Sequence, residues 1–494
     1  VIRRIGSFLL VVTIAWAQSS FRATTKLVQV SVIAQDANGK PVMDLRREDF
    51  QILDNGAPQE IRLFLSESPA QPPEPTTPGT FTNRIAFPEG SRSGYSVILF
   101  DNLNTGFEHT ARARLRGLQA LQVVPAGDQI ALYSLWCQFQ VIREFTSDRD
   151  SLVERLHAFY PAAGAVCAGS VPVEDALPAN RAPSMADLIS PEAAAARSRA
   201  AADATRIAAL QAGTITDQEM IQIADHLAGI PGRKNLIWIA QKFPLSPKAV
   251  QRLMNAGVAI YPVDAIGSTI ASAAEKEAHA APIRALARVT GGVAYVDRDD
   301  LDVGIRESLD DGRVSYTLGF YPPDEPARKP HQLTIRVSRP GITLRYRGGY
   351  QMDTPQPTSA NPVAEFIEAI NRPVDATSIG ITASATRNRD RLDLSVSFDL
   401  SGFDLALKQG LWKGNAEVVA RFITAEGVWA GDVLSQTISF NLRPENYASM
   451  LSSGVTYHKE IRIPPKAVEL KLLVGNLASG KIGTLTIPLS GMTR

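Results

Sequence analysis

The chain has 494 residues, 45% of them hydrophobic and 20% charged, with a formal net charge of +1. That length exceeds one hydrophobic core and calls for about three domains. A balance so near neutrality supplies no electrostatic footprint for nucleic acid or an anionic membrane surface, so neither is expected as a partner.

Residues 1–17 read as a secretory signal peptide. Arg3-Arg4 is a basic flank, Ile5 to Ala15 is an apolar run, and Ala15-Trp16-Ala17 has the small-x-small pattern of a cleavage site before Gln18. The run is far shorter than the roughly 20 residues of a spanning helix. The expected location is therefore secreted or periplasmic, with no integral membrane span after signal removal. The cysteines are Cys137 and Cys167, and in an oxidising compartment they can join in one disulfide.

Residues 25–66 are strand-rich and form the first part of a small β domain. Leu27 to Ile33 is β-rich, and Phe50-Gln51-Ile52-Leu53 and Ile61 to Leu65 flank the turn Asp54-Asn55-Gly56, so they are expected to form a hairpin. Residues 67–92 carry Pro69, Pro72, Pro73, Pro75 and Pro78 and read as an extended, exposed linker.

Within 93–312 strands alternate with helices. Strands are expected at 95–100, 129–136, 139–145, 235–240 and 258–264, with helical stretches at 108–122, 149–159, 217–228, 247–256, 280–289 and 301–310. Such alternation implies a doubly wound, mostly parallel sheet and an α/β class. An insertion at 160–213 holds a proline-rich loop and then an Ala-rich helical run opening at Pro191.

Residues 313–350 return to strands. Neither they nor 25–66 can bury a core alone, so the two are expected to pair as one small β domain with the α/β unit inserted between them. A linker at 351–372 contains Pro355, Pro357 and Pro362. Residues 373–494 alternate apolar and polar, as in Leu392 to Phe398, and suggest a β-sandwich.

The chemistry concentrates after the first buried strand. Tyr95 to Phe100 delivers Asp101 to its carboxyl end, where the loops of an open α/β sheet leave a crevice for ligands. Asn104 and Thr105 follow, and they also suit a cap for the next helix. Asp264 ends another strand on the same edge, either as a second carboxylate or as an anchor for its own loop. Thr216-Asp217-Gln218-Glu219 reads as a capping box.

Several stretches together resemble one family. They are Val30 to Leu53, Phe100 to Thr105, Gly127 to Tyr133, Phe145 to Asp148, Ile230 to Trp238, Ile260 to Asp264, Thr290 to Gly292 and Val314 to Gly319. In this order they resemble secreted bacterial proteins with a divergent von Willebrand factor A domain. The resemblance implies that fold, a binding role, and a Mg²⁺ site of the form Asp-x-Ser-x-Ser, completed by a later Thr and a second Asp. Asp101 and Thr105 match, Leu103 replaces a hydroxyl, and Thr214 or Thr216 offers the later Thr. Ala240-Gln241-Lys242 stands where the second Asp belongs, and Lys242 is placed to neutralise Asp101.

Mg²⁺ needs oxygen ligands and usually one or two carboxylates, so no cofactor is expected. Were Mg²⁺ held, Asp101, Thr105 and Thr214 would be the ligands. The histidines are scattered without metal-ligand spacing, which leaves zinc unsupported. No Gly-x-Ser-x-Gly elbow occurs and no Cys/His pairing stands out, so an enzyme is not expected. The favoured reading is a non-enzymatic module for a protein partner at the cell envelope or outside the cell. Its binding edge comprises Asp101, Asn104, Thr105, Thr214 and Asp264. The alternative is a structural or assembly component acting through its β domains.

Overall fold

The structure is a computed structural model that describes residues 27–66, 79–85, 94–124, 127–159, 191–269, 272–311, 315–322, 329–351, 362–403, 405–476 and 480–490. The signal peptide, Cys167 and the proline-rich part of the insertion lie outside them. Strand β1 (Val28–Gln35) alternates, burying Val28, Val30 and Val32 on one face. β2 (Phe50–Asp54) turns through Asn55 and Gly56, both at positive φ (48° and 84°), straight into β3 (Ala57–Gln59). Those dihedrals suit a two-residue hairpin turn, so β2 pairs with 57–59 and not, as expected, with 61–65. β4 (Leu63–Leu65) and β5 (Thr80–Thr82) find partners much later in the chain.

The central unit has one mixed sheet. β6 (Tyr95–Asp101) is followed by α1 (Phe107–Gln122), β7 (Gln129–Leu135), β8 (Phe139–Thr146) and α2 (Arg149–Ala158). A 37-residue helix, α3 (Pro191–Leu227), then leads to β9 (Lys234–Ala240), α4 (Pro247–Asn255), β10 (Val258–Asp264), α5 (Ala273–Thr290) and α6 (Leu301–Asp311). The order is β10-β9-β6-β7-β8, with β8 antiparallel to its neighbour. β6, β7, β9 and β10 are buried throughout because apolar clusters cover both faces. α3 and α4 supply one cluster, α1, α2 and α6 the other. Gly117 lets α1 close onto β6, since a Cβ there would stand 2.7 Å from Phe100 Cζ.

The chain then returns to its first strands. β11 (Tyr316–Phe320) pairs with β1 and with β4, while β12 (His331–Val337) pairs with β2. β13 (Thr343–Arg345) and β14 (Gly349–Tyr350) complete two antiparallel sheets around Val30, Ile52, Tyr316 and Phe320. Segments 25–66 and 313–350 thus share one core, flanking the mixed sheet. Inside it Asp54, His331 and Tyr350 are buried together: Tyr350 donates to Asp54 Oδ2 at 2.8 Å and His331 Nδ1 lies 2.9 Å from Oδ1.

A helix, α7 (Pro362–Ile370), occupies part of the segment expected to be a linker. β15 (Ile381–Asn388), β16 (Arg391–Phe398), β17 (Ala406–Lys408), β18 (Leu411–Thr424), β19 (Trp429–Leu442), α8 (Pro444–Ser453), β20 (Val455–Arg462), β21 (Ala467–Asn476) and β22 (Lys481–Pro488) follow. They build two antiparallel sheets, β20-β16-β15-β5 and β17-β18-β21-β22 with β19 on β18, around one apolar core. β5 comes from the proline-rich stretch, whose residues 80–82 therefore sit in a ladder against Thr382–Ser384.

These pairings correct the expected class. Among the described residues the chain is mostly β, 40% strand against 31% helix, and four of the five sheets are antiparallel throughout. A doubly wound, von Willebrand factor A-like sheet does not define it. The helix–strand alternation of 93–312 is local, whereas the flanking strands hold most of the ladders.

Candidate functional site

Asp101 closes β6 and is 1% exposed. Its carboxylate is occupied from inside the fold. The Asn104 main-chain N–H donates to Oδ1 at 2.9 Å, Asn104 Nδ2 donates to Oδ2 at 2.7 Å, and Trp238 Nε1 on β9 donates to Oδ2 at 2.9 Å. Burial pushes the Asp101 pKa up to about 6, against the pull of Asn104, Trp238 and the Leu103 main chain. Thr105 Oγ1 donates to the Asp101 carbonyl at 2.5 Å.

Asn104 is the hub of the edge. Its Nδ2 also donates to Thr216 Oγ1 on α3 at 2.8 Å, and its carbonyl accepts the N–H groups of Gln241 and Lys242 after β9. Gln241 Oε1 in turn accepts from Gly106 N–H at 3.0 Å. Asn102 donates to Ser134 Oγ at 3.0 Å on β7. One loop is thereby tied to two strands, a helix and a neighbouring loop.

Several expectations are corrected here. Thr214 is exposed, and its Oγ1 donates to Leu210 O within α3. At about 100° per residue, positions 214 and 216 face opposite sides of a helix, so Thr216 reaches the edge and Thr214 does not. Thr216 is no capping residue either: α3 runs unbroken from Pro191, and its Oγ1 donates to Ala212 O. Asn104 and Thr105 do not cap α1, whose N-cap is Gly106. Lys242 is exposed and makes no ion pair with Asp101 among the described residues. The Leu103 side chain packs half-buried against the apolar cluster below it.

Asp264 does not stand in as a second carboxylate. β9 separates β10 from β6, which sets Asp264 roughly 10 Å from Asp101 at the same level. Its Oδ1 accepts from Ile266 N–H at 3.1 Å and its Oδ2 lies 2.9 Å from His279 Nε2. Burial raises its pKa, with Ile266 and His279 pulling the other way. Asp264 therefore holds its own loop and orients His279.

These residues do not fit Mg²⁺. Asp101 already receives three donors, no second carboxylate stands beside it, and Thr214 lies elsewhere. Among the described residues no three His, Cys, Asp or Glu side chains are grouped to hold a metal ion. Cys137 is disulfide-bonded; the sequence holds one other cysteine, Cys167.

The rim carries an exposed aromatic. Phe107, one residue past the tethered loop, is 75% exposed. Further along α1 Arg112 pairs with Asp299 at 2.6 Å, and Ser268 and Arg112 together hold the Asp299 pKa down at about 2.

Sequence reasoning missed Trp238 and His279. Trp238 had a usable signal: a lone Trp in the aliphatic run Leu236 to Ala240 must bury its indole, whose N–H then needs an acceptor. His279 had none.

No family model matches the chain, and no curated protein matches it. Among solved structures, an aerotolerance-related membrane protein from Bacteroides fragilis NCTC 9343, carrying multiple mutations to serines, aligns at 11% identity and TM-score 0.26. The alignment covers 44% of this chain and 99% of that one. A von Willebrand factor type A structure from Catenulispora acidiphila aligns at 13% identity and TM-score 0.27, over 63% and 83% of the two chains. A DUF3823 family protein from Bacteroides ovatus aligns at 11% identity and TM-score 0.15, over 36% and 81%. Likenesses this slight assign neither fold nor function. Among the described residues no helix is long and apolar enough to cross a membrane.

Proposed function

We propose that the chain is a non-enzymatic module that binds a protein partner, at the cell envelope or outside the cell, through the loops at the carboxyl ends of β6, β9 and β10. One observation carries the reading. Asp101 is turned inward onto Asn104 and Trp238, which fixes the loop 102–106 and presents Phe107 at 75% exposure. A large aromatic at the head of a helix that a rigid loop fixes in place can anchor a partner with little ordering cost.

Capture from envelope extract on immobilised protein tests this. Phe107→Ser is expected to lose the captured partner while keeping its thermal midpoint, since exposed positions rarely affect stability. Undiminished capture by that variant overturns the reading. A second reading, assembly through the β units, is favoured by β19, a 14-residue edge strand that pairs with β18 alone among the described residues. Loss of partners in Val433→Lys, with Phe107→Ser unaffected, would select it.

A further inference from the structure

At the opposite ends of the parallel strands, the three units meet around a cleft of about 940 Å³. Its walls include Lys234 and Val258, which open β9 and β10, Gln29 and Arg347 from the flanking sheets, and Trp412 and Tyr447 from the C-terminal unit. The basic residues lining it are Arg233, Lys234, Arg347 and Lys481, and no Asp or Glu lines it among the described residues.

Two of those cations, Lys234 buried and Arg347 half-buried, are held against the same turn. Lys234 is 3% exposed, and its Nζ donates to the Ile230 carbonyl at 2.7 Å. It also lies against Gly257, where a Cβ would stand 3.2 Å from Nζ. Arg347 Nη1 donates to Met254 O at 2.9 Å and Nη2 to Gln29 O at 2.8 Å. Its Nε is buried without an acceptor. Met254 and Gly257 are bonded to each other across that turn. Arg233, also 3% exposed, is held by the neutral acceptors Asn235, Tyr261 and Gly291. On the far wall Trp412 stacks on Tyr447 with centroids 4.4 Å apart.

Desolvated cations held by carbonyls alone are costly unless an anion compensates them. We propose that this cleft binds an oxyanion, carboxylate or phosphate, carried on an aromatic body. Lys234 and Arg347 hold the charge, and Trp412 and Tyr447 flank the body. Ligands gather at such junctions between domains, where a few convergent polar groups face apolar walls. Burial lowers the Lys234 pKa to about 7 and the Arg347 pKa to about 10, the direction expected of cations awaiting a counter-ion. The site lies at the other end of the strands from Asp101, so it stands or falls apart from the proposed function.

Calorimetry on the full chain with inorganic phosphate, acetate, phenyl phosphate and benzoate, at constant ionic strength, tests it. One pair, phosphate-based or carboxylate-based, should bind saturably, with its phenyl form about tenfold tighter or more. Lys234→Met and Arg347→Lys should each weaken that binding by about tenfold or more, through loss of charge-assisted hydrogen bonds. Trp412→Ala should remove only the advantage of the phenyl form. Lys234→Met deletes a buried charge, so its unliganded melting temperature should match or exceed wild type, which separates lost binding from lost folding. Absence of saturable heat with all four probes overturns the proposal, as does binding unchanged in both cation variants.

Discussion

The indole N–H of Trp238 on β9 donates to Oδ2 of Asp101 on β6 at 2.9 Å. Both residues are almost fully buried, so the carboxylate that ends the middle strand is held by the strand beside it. Trp238→Phe leaves a buried carboxylate short of one donor. The expected cost is about 1.5–3 kcal/mol in urea denaturation, the range for a hydrogen bond to a charged group. Combined with Asp101→Asn the two losses should add to less than their sum, because they break the same bond.

The pH dependence of Asp101 has a definite sign. Its folded pKa is about 6 against an ordinary 3.8, so the folded state holds the proton more tightly. Its contribution to stability is greatest below the ordinary value, falls as pH rises, and levels off above about 6. Asp101→Asn has no such titration. The stability of wild type relative to Asp101→Asn should therefore rise by about 1 kcal/mol on going from pH 7 to pH 5. Other raised carboxyls, such as Glu219 and Asp264, cancel in that difference. A difference that is flat or opposite in sign across the window would count against an uncomfortable, buried carboxylate.

Close packing of α1 on β6 gives another test. Gly117→Ala places a Cβ 2.7 Å from Phe100 Cζ, next to Asp101 in sequence. Overpacking costs about 1–3 kcal/mol, partly offset by the helix preference for Ala over Gly of up to about 1 kcal/mol. A net loss in thermal or chemical denaturation is expected. A gain would mean that the ring has room to move.

Local patterns in the sequence carried much of this, and long-range pairings did not. The buried strands of the mixed sheet lie within a residue or so of their apolar runs, and Asp101 ends its strand as the switch from apolar to polar implies. Thr216 was legible too, since Met220, Ile223, Ala224 and Leu227 mark the core face of α3 and position 216 continues it by i, i+4. The preference for Thr214 ignored that stripe. Nothing in Thr80-Phe81-Thr82 announces pairing with Thr382–Ser384, because three residues among prolines hold no periodicity. The overall class is hidden for the same reason. Helix–strand alternation is loud within 93–312, whereas antiparallel ladders between distant segments are silent.

Cys137 is disulfide-bonded, and Cys167 is the other cysteine of the sequence. A bridge between them would close a loop of about 30 residues and stabilise the chain by roughly 3–4 kcal/mol in the chain-entropy model. Non-reducing peptide mapping should yield one linked pair, and a reductant should lower the melting temperature. Two alkylatable thiols in the unreduced protein would refute the link.

We propose that Asp101 is an internal anchor for the loop and not a metal ligand. Titration calorimetry of the folded chain with millimolar Mg²⁺ or Mn²⁺ tests it most directly. Three donors already hold the carboxylate, no second carboxylate stands beside it, and Mg²⁺ sheds its water reluctantly, so no saturable heat is expected. A saturable isotherm that Asp101→Asn abolishes, in a variant shown to remain folded, would contradict the account.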